Sequence, residues 1–193
     1  MKMDATVALK WMSIFNDKIQ TNKDYLSELD TPIGDGDHGG NMARGMTAVM
    51  EKLNAEKFEN AADVFKVVAM QLLSKVGGAS GPLYGSAFIG MTKSFQTSDS
   101  LADAVQAGLE MIEKRGKATV GEKTMVDIWA SVLADLQQDQ LTVARVQEYV
   151  QASADLKATK GRASYVGDRS IGHIDPGTCS SGYLFEALLE ASK

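Results

Sequence analysis

An all-α fold is what this sequence predicts, on three observations. Apolar residues recur at helical spacing in about eight segments. No segment alternates apolar and polar convincingly enough for a half-buried strand. The breaks between segments carry residues that cap or stop helices, such as Asp4, Asn60, Gly77, Pro82 and Gly116. The 193 residues suit one domain, spanning 1–193, with no repeat, linker or low-complexity stretch.

Residues 4–20 place Val7, Trp11, Ile14 and Phe15 on one helical face, with Asp4 as N-cap. Residues 41–54 carry Met42, Met46, Val49, Met50 and Leu53 at the same spacing. Residues 60–76 open on Asn60 and stop before Gly77-Gly78. Pro82 starts the next helix, running to Phe95, since proline is favoured in a first turn. Residues 99–115 present Leu101, Val105, Leu109 and Ile112 and end at Gly116. Residues 124–138 and 142–160 each begin on Thr, and 178–192 form the last helix. Met42, Met46, Met50, Met70 and Met91 read as core gap-fillers.

Composition narrows the function. With 44% hydrophobic and 23% charged residues the chain is ordinary for a globular protein, and its net charge of −5 argues against gripping nucleic acid. Cys179 is the single cysteine, which excludes an intramolecular disulfide and a Cys-rich zinc site and suits a reducing compartment. No apolar run approaches the roughly 20 residues of a membrane span, and the N-terminal stretch lacks a signal-peptide pattern. A cytoplasmic protein with no membrane or nucleic-acid partner is expected.

Chemistry concentrates in the loops at 30–41, 77–81 and 161–177, which a helical bundle would gather at its ends. "LDTPIGDGDHGGN", residues 29–41, crowds Asp30, Asp35 and Asp37 with His38 and Asn41. Three neighbouring carboxylates raise one another's pKa unless a cation sits among them or they turn into water. A hard divalent cation answers this, and an open site shared with phosphate suits Mg²⁺. An EF-hand fails, because counting from Asp35 the twelfth position is Met46 rather than Glu. The plain alternative is a solvated Asp-Gly turn.

"KVGGASGPLYGS", residues 75–86, leaves backbone N–H groups free at a helix start, where Gly78, Ala79 and Ser80 can cradle phosphate oxygens. The alternative is a helix stop followed by a proline start. "GKATVGEKT", residues 116–124, imitates a P-loop, but Glu122 puts Lys123 one residue out of register and no strand precedes it, so a Walker motif is rejected. Gly116, Thr124 and Met125 can still touch a ligand. In "GRASYVGDRSIGHIDPGTCSSG", residues 161–182, Arg162 and Arg169 can pair with phosphate. Cys179 reads as a buried small residue rather than a nucleophile, and no nucleophile–base set can be assigned from spacing. The residues alone reach divalent cations between the aspartates and a di- or triphosphate, with phosphoryl transfer achieved by metal and positioning.

"TPIGDGDHGGNM", "GGASGPLYG", "GEKTMVD" and "GRASYVGDRSIGHIDPG", in this order, resemble the nucleotide-binding L subunit of dihydroxyacetone kinases almost end to end. That resemblance implies a barrel-like bundle of eight antiparallel helices, with the nucleotide site formed by loops at one end. It implies Asp30, Asp35 and Asp37 as ligands of two Mg²⁺ ions holding ADP or ATP. His38, Gly39, Gly40, Asn41, Ala79 and Ser80 would contact phosphates and ribose. Gly116 and Met125 would line the site, Met125 against the adenine. Arg162 and the Asp175–Pro176–Gly177 turn would close over the nucleotide.

In such enzymes the γ-phosphoryl group passes to a hydroxyl of dihydroxyacetone held covalently on a K subunit. With no K domain attached, the chain resembles the phosphotransferase-system-dependent form, where ADP stays as a cofactor. There an M subunit supplies phosphoryl groups from a phosphohistidine, and neither His38 nor His173 carries one. The implied assembly is a homodimer or hetero-oligomer. Two other readings share the loops: a nucleotide-sensing regulatory module, and an L-type kinase subunit for another acceptor such as a fatty acid.

Overall fold

The computed structural model describes residues 3–193; Met1 and Lys2, part of the stretch read for a signal peptide, lie outside the described residues. Eight α-helices follow one another: α1 (Ala5–Asp30), α2 (His38–Ala55), α3 (Ala61–Lys75), α4 (Ser80–Phe95), α5 (Leu101–Gly116), α6 (Met125–Gln137), α7 (Val143–Ala152) and α8 (Pro176–Ala191). Two 3₁₀ segments, Ser153–Asp155 and Arg162–Ser170, lie between α7 and α8, and no strand occurs among the described residues.

Sequence neighbours pack against each other and α1 meets α8, so the bundle closes on itself like a barrel. Trp11, Phe15, Phe65, Tyr84, Phe88, Trp129 and Phe185 fill the interior and are fully buried. Trp11 meets Phe65 edge-on at 5.5 Å, and Trp129 meets Phe185 edge-on at 5.0 Å, the arrangement ring quadrupoles favour. Trp11 Nε1 donates to the Leu184 carbonyl at 2.7 Å, satisfying the one polar atom of a buried indole.

Caps fall where the side chains dictate. Asp4, Asn60, Ser100, Thr124, Thr142 and Asp175 each accept a hydrogen bond from the first turn they precede. At Thr124 the Asp127 carboxylate answers back, completing a capping box.

Several boundaries and burials differ from the sequence reading: α2 begins at His38 rather than Asn41, and α8 at Pro176 rather than Thr178. Helix α1 continues ten residues past Gln20, through the polar stretch 21–30, because tertiary packing buries Leu26 and seats Lys23 against α2. Helix α4 begins at Ser80 rather than Pro82, leaving the proline inside the first turn. Helix α7 stops at Ala152, eight residues short, where Ser153 Oγ bonds back to Val150 and the chain tightens into 3₁₀. Met42, Met46 and Met91 are buried as expected, but Met70 is 58% exposed: the inward face of α3 runs through Phe65, Val68, Ala69 and Leu72, and Met70 falls beside it.

A candidate nucleotide and metal site at one end of the bundle

The C-terminal end of α1 and the N-terminal ends of α2, α4, α6 and α8 converge on one cavity. That end is built by four alternate connections, α1–α2, α3–α4, α5–α6 and α7–α8. The last is the longest, and the earlier of its two 3₁₀ segments follows directly from α7.

Asp30 closes α1 and is only 9% exposed. Its Oδ2 accepts the N–H groups of Asp37 at 3.1 Å and His38 at 3.3 Å, so it caps α2 from the preceding helix. Ile33, 2% exposed, pins the intervening loop inside. Gly36 turns that loop with φ +74, and a side chain at Gly34 would fall on the Asp30 carboxylate. The result is that Asp30, Asp35 and Asp37 each bring one oxygen within 4.8 Å of the others. An all-oxygen, acid-only donor set of this kind fits a hard divalent cation.

Arg162, on the 3₁₀ segment of the α7–α8 connection, reaches across the chain and pairs with Asp35. The sequence expects this guanidinium to meet phosphate; in the structure it lies on the acidic loop, at the rim of the same cavity. Arg169 does not line that cavity.

Helix α4 starts with Ala79 at the N-cap, which offers no side-chain acceptor, so its first N–H groups stay available to an anion. Gly78 makes the preceding turn in the left-handed region, φ +66. Ser80 Oγ lies 2.9 Å from His38 Nδ1, and His38 Nε2 lies 2.9 Å from Ser180 Oγ. Both ring nitrogens are therefore engaged. Burial pushes the imidazole down to about 4, with Asp30 and Asp37 pulling the other way, so His38 is neutral near pH 7. The contacts run on inward: Tyr84 OH bridges Ser180 and Ser181 at 2.7 and 2.9 Å, and Trp129 Nε1 donates to Ser181 at 3.1 Å.

At the start of α8, Asp175 accepts the Thr178 N–H at 2.7 Å, so the Asp175–Pro176–Gly177 stretch is a helix N-terminus rather than a free turn. Burial pushes its carboxyl up to about 6, against the lowering pull of the Thr178 donors and Lys123. Met125, 3% exposed at the start of α6, lines both this cavity and an adjoining apolar one that Pro82, Leu83, Ile112, Gly116 and Val126 also line. The two share Ala79, Leu83, Thr124, Met125, Lys160 and Gly161, which makes a continuous slot with a charged end and an apolar end.

Of the residues singled out in the sequence, Asp30, Asp35, Asp37, His38, Asn41, Gly78, Ala79, Ser80, Thr124, Met125, Arg162, Asp175, Pro176 and Gly177 line the charged part, and Ala79, Gly116, Thr124 and Met125 the apolar part. Gly39 and Gly40 line neither. Gly39 packs against α1, where a side chain would fall on the Lys23 carbonyl, and Gly40 faces open space. Sequence reasoning passed over Tyr84, Ser180 and Ser181, and weighed Lys123 only as a P-loop lysine, which it rejected. The readable signal for the serines is two adjacent hydroxyls near the start of a helix whose later buried positions, Leu184, Phe185, Ala187, Leu188 and Ala191, are apolar.

The chain matches the DAK2 domain family over residues 32–190. It is 61% identical over 188 residues to the "PTS-dependent dihydroxyacetone kinase, ADP-binding subunit DhaL" of Lactococcus lactis, covering 97% of each chain. It is 37% identical to the "PEP-dependent dihydroxyacetone kinase, ADP-binding subunit DhaL" of Escherichia coli, over the full length of both. The fold superposes on the dihydroxyacetone kinase from C. freundii, solved with AMP-PNP and Mg²⁺, with a TM-score of 0.80 at 22% identity; all of this chain matches 35% of that longer one. The chain belongs to the DAK2 domain family, in the branch formed by the ADP-binding DhaL subunits of dihydroxyacetone kinases.

Proposed function

We propose that this protein is the ADP-holding subunit of a multi-subunit dihydroxyacetone kinase. In this reading the nucleotide stays on the chain as a cofactor and is charged from a phosphohistidine on an M subunit. It then gives its γ-phosphoryl group to dihydroxyacetone on a K subunit. The single observation that carries the reading is the slot itself: an acid trio at one end, a helix N-terminus beside it, and an apolar recess at the other.

Asp30, Asp35 and Asp37 would hold Mg²⁺, two ions in the fuller form of the proposal. Bound there, the metal supplies charge neutralisation and polarisation of the phosphate oxygens. The protein's own contribution is positioning. The Ser80 hydroxyl and the first amides of α4 orient phosphate oxygens, and neutral His38 holds Ser80 without adding charge. Leu83, Gly116 and Met125 flank the base, and Arg162 brings a guanidinium over the anionic end. His38, Gly39, Gly40 and Asn41 open α2 below the phosphates, and the α8 N-terminus at Asp175–Gly177 closes the other side. Residues 1–193 would act as one unit, docked to its partner subunits as a hetero-oligomer.

Thermal melting with ADP, with Mg²⁺, with both and with EDTA tests this. A ligand that binds only the folded state at a thousand times its Kd adds about 4 kcal/mol. That is roughly 8–16 °C for a chain of this size. The expected result is a large upward shift that needs ADP and Mg²⁺ together. No shift, in protein that retains no nucleotide from purification, would overturn the reading.

A further inference from the structure

The "GEKT" stretch that imitates a P-loop has a different task. Lys123 is 1% exposed, and its backbone sits in the left-handed region at φ 59, which is unfavourable for a residue with a side chain. Its side chain lines the charged cavity, but its ammonium is engaged by backbone. It donates to the carbonyls of Ser153 at 2.7 Å, Leu156 at 3.0 Å and Ala154 at 3.4 Å, so its three hydrogens have three backbone acceptors. These are the carbonyls with which α7 and its 3₁₀ turn end.

The same place is where the connection carrying Arg162 departs and returns. Leu156 begins it, and the Gly172 N–H donates to Ala154 O at 2.8 Å as it comes back. Inside, the Ala158 N–H donates to Ser170 Oγ at 2.9 Å. Glu122, the neighbour of Lys123, grips the outgoing side: its carbonyl accepts the Thr159 N–H at 3.3 Å and its carboxylate the Thr159 hydroxyl at 3.2 Å. Two residues beyond Lys160 the guanidinium of Arg162 reaches Asp35. Ser153 is also tied to the site from the other side, its Oγ accepting the Asp175 N–H at 3.1 Å.

We propose that Lys123, assisted by Glu122, is the positioning residue of the Arg162 strap: by clamping the carbonyls at its root it fixes residues 156–172 so that Arg162 stands over the aspartate loop. The inference rests on the nucleotide reading above and deepens it. Lys123 acts through Arg162, so its effect on the ligand vanishes when Arg162 is already gone. A lysine that merely holds the end of α7 would lack that dependence.

The test is a double-mutant cycle on Mg²⁺–ADP affinity with Lys123→Met, Arg162→Ala and both together. Each single change is expected to weaken binding about tenfold or more, and the pair to be within about twofold of Arg162→Ala alone. Wild-type affinity in Lys123→Met, or losses that multiply in the pair, would overturn the proposal. If Lys123→Met does not fold, Glu122→Ala replaces it; this change at a half-buried side chain should leave the protein folded, weaken ADP about threefold, and again add nothing to Arg162→Ala. Limited proteolysis without nucleotide separates this proposal from the nucleotide reading. Faster cleavage within 157–171 in Lys123→Met or Glu122→Ala supports the clamp even if wild type binds no ADP, and unchanged cleavage refutes it.

Discussion

Asp35 answers to two partners: it belongs to the acid trio, and it receives the Arg162 guanidinium from the far side of the chain. Removing it should therefore abolish metal-dependent ADP binding while leaving the helices intact, since its side chain is exposed and supports no buried contact. The same holds for Asp37→Ala. Calorimetric titration of Mg²⁺–ADP beside circular dichroism would check both, and binding at wild-type strength by either variant would break the metal assignment. Asp175 makes a pH prediction. Its folded pKa, about 6, lies above its ordinary 3.8, so the folded protein holds this proton more tightly than the unfolded chain does. The associated stability is present below the unfolded value and is lost as pH rises through about 6. Asp175→Asn keeps an oxygen to cap Thr178 and cannot ionise. Without metal or nucleotide, it should gain on wild type by up to about 3 kcal/mol between pH 4 and 7. Denaturant melts at the two pH values measure this; a constant difference would contradict it.

Helix α2 separates two adjacent glycines that look alike in sequence. Gly39 faces the Lys23 carbonyl of α1 with no space for a methyl group, so Gly39→Ala should cost about 3 kcal/mol or more. Gly40 faces open space, so Gly40→Ala should gain up to about 1 kcal/mol from helix propensity. Thermal melts of the two variants decide it, and equal effects would mean the α1–α2 approach is not close. The same contact explains why α1 was only partly legible. Its first turns announce themselves through Trp11 and Phe15, but 21–30 has a weak apolar period and is helical because α2 lies against it. The early stop of α7 has the converse cause: its helical pattern continues, but Ser153 Oγ bonds back to Val150, and the carbonyls just past the end, of Ser153, Ala154 and Leu156, are taken by Lys123 from a loop far earlier in the chain.

Across the whole molecule, the site is wired into the barrel interior. Ser80 and His38 at the mouth connect through Ser180, Tyr84 and Ser181 to Trp129, joining α2, α4, α6 and α8. Every link is buried or nearly so, and no buried side-chain donor or acceptor among the described residues lacks a partner. Tyr84→Phe removes the central hydroxyl and leaves two serines short of a contact, which should cost about 1–3 kcal/mol. At roughly 2–4 °C per kcal/mol for a chain of this length, a melting curve resolves it. An unchanged midpoint would mean that the hydroxyls find other partners.

Helical periodicity, caps and the acid-and-glycine loops are local properties, so the all-α class, most helix starts and the aspartate and Ala79–Ser80 stretches could be picked out from the residues themselves, whereas the Asp175–Gly177 turn came only with the family resemblance. Matching motifs in order carried the family as well. Only the tertiary structure decided which loop residues face the cavity, because that depends on the closure of the barrel. Gly39 turned out to serve packing, Arg162 met Asp35, and the lysine of a false P-loop became a clamp on backbone carbonyls. Each of these pairs joins residues far apart in sequence, and a carbonyl or carboxylate that will accept a hydrogen bond leaves no pattern in the residues that come to donate it.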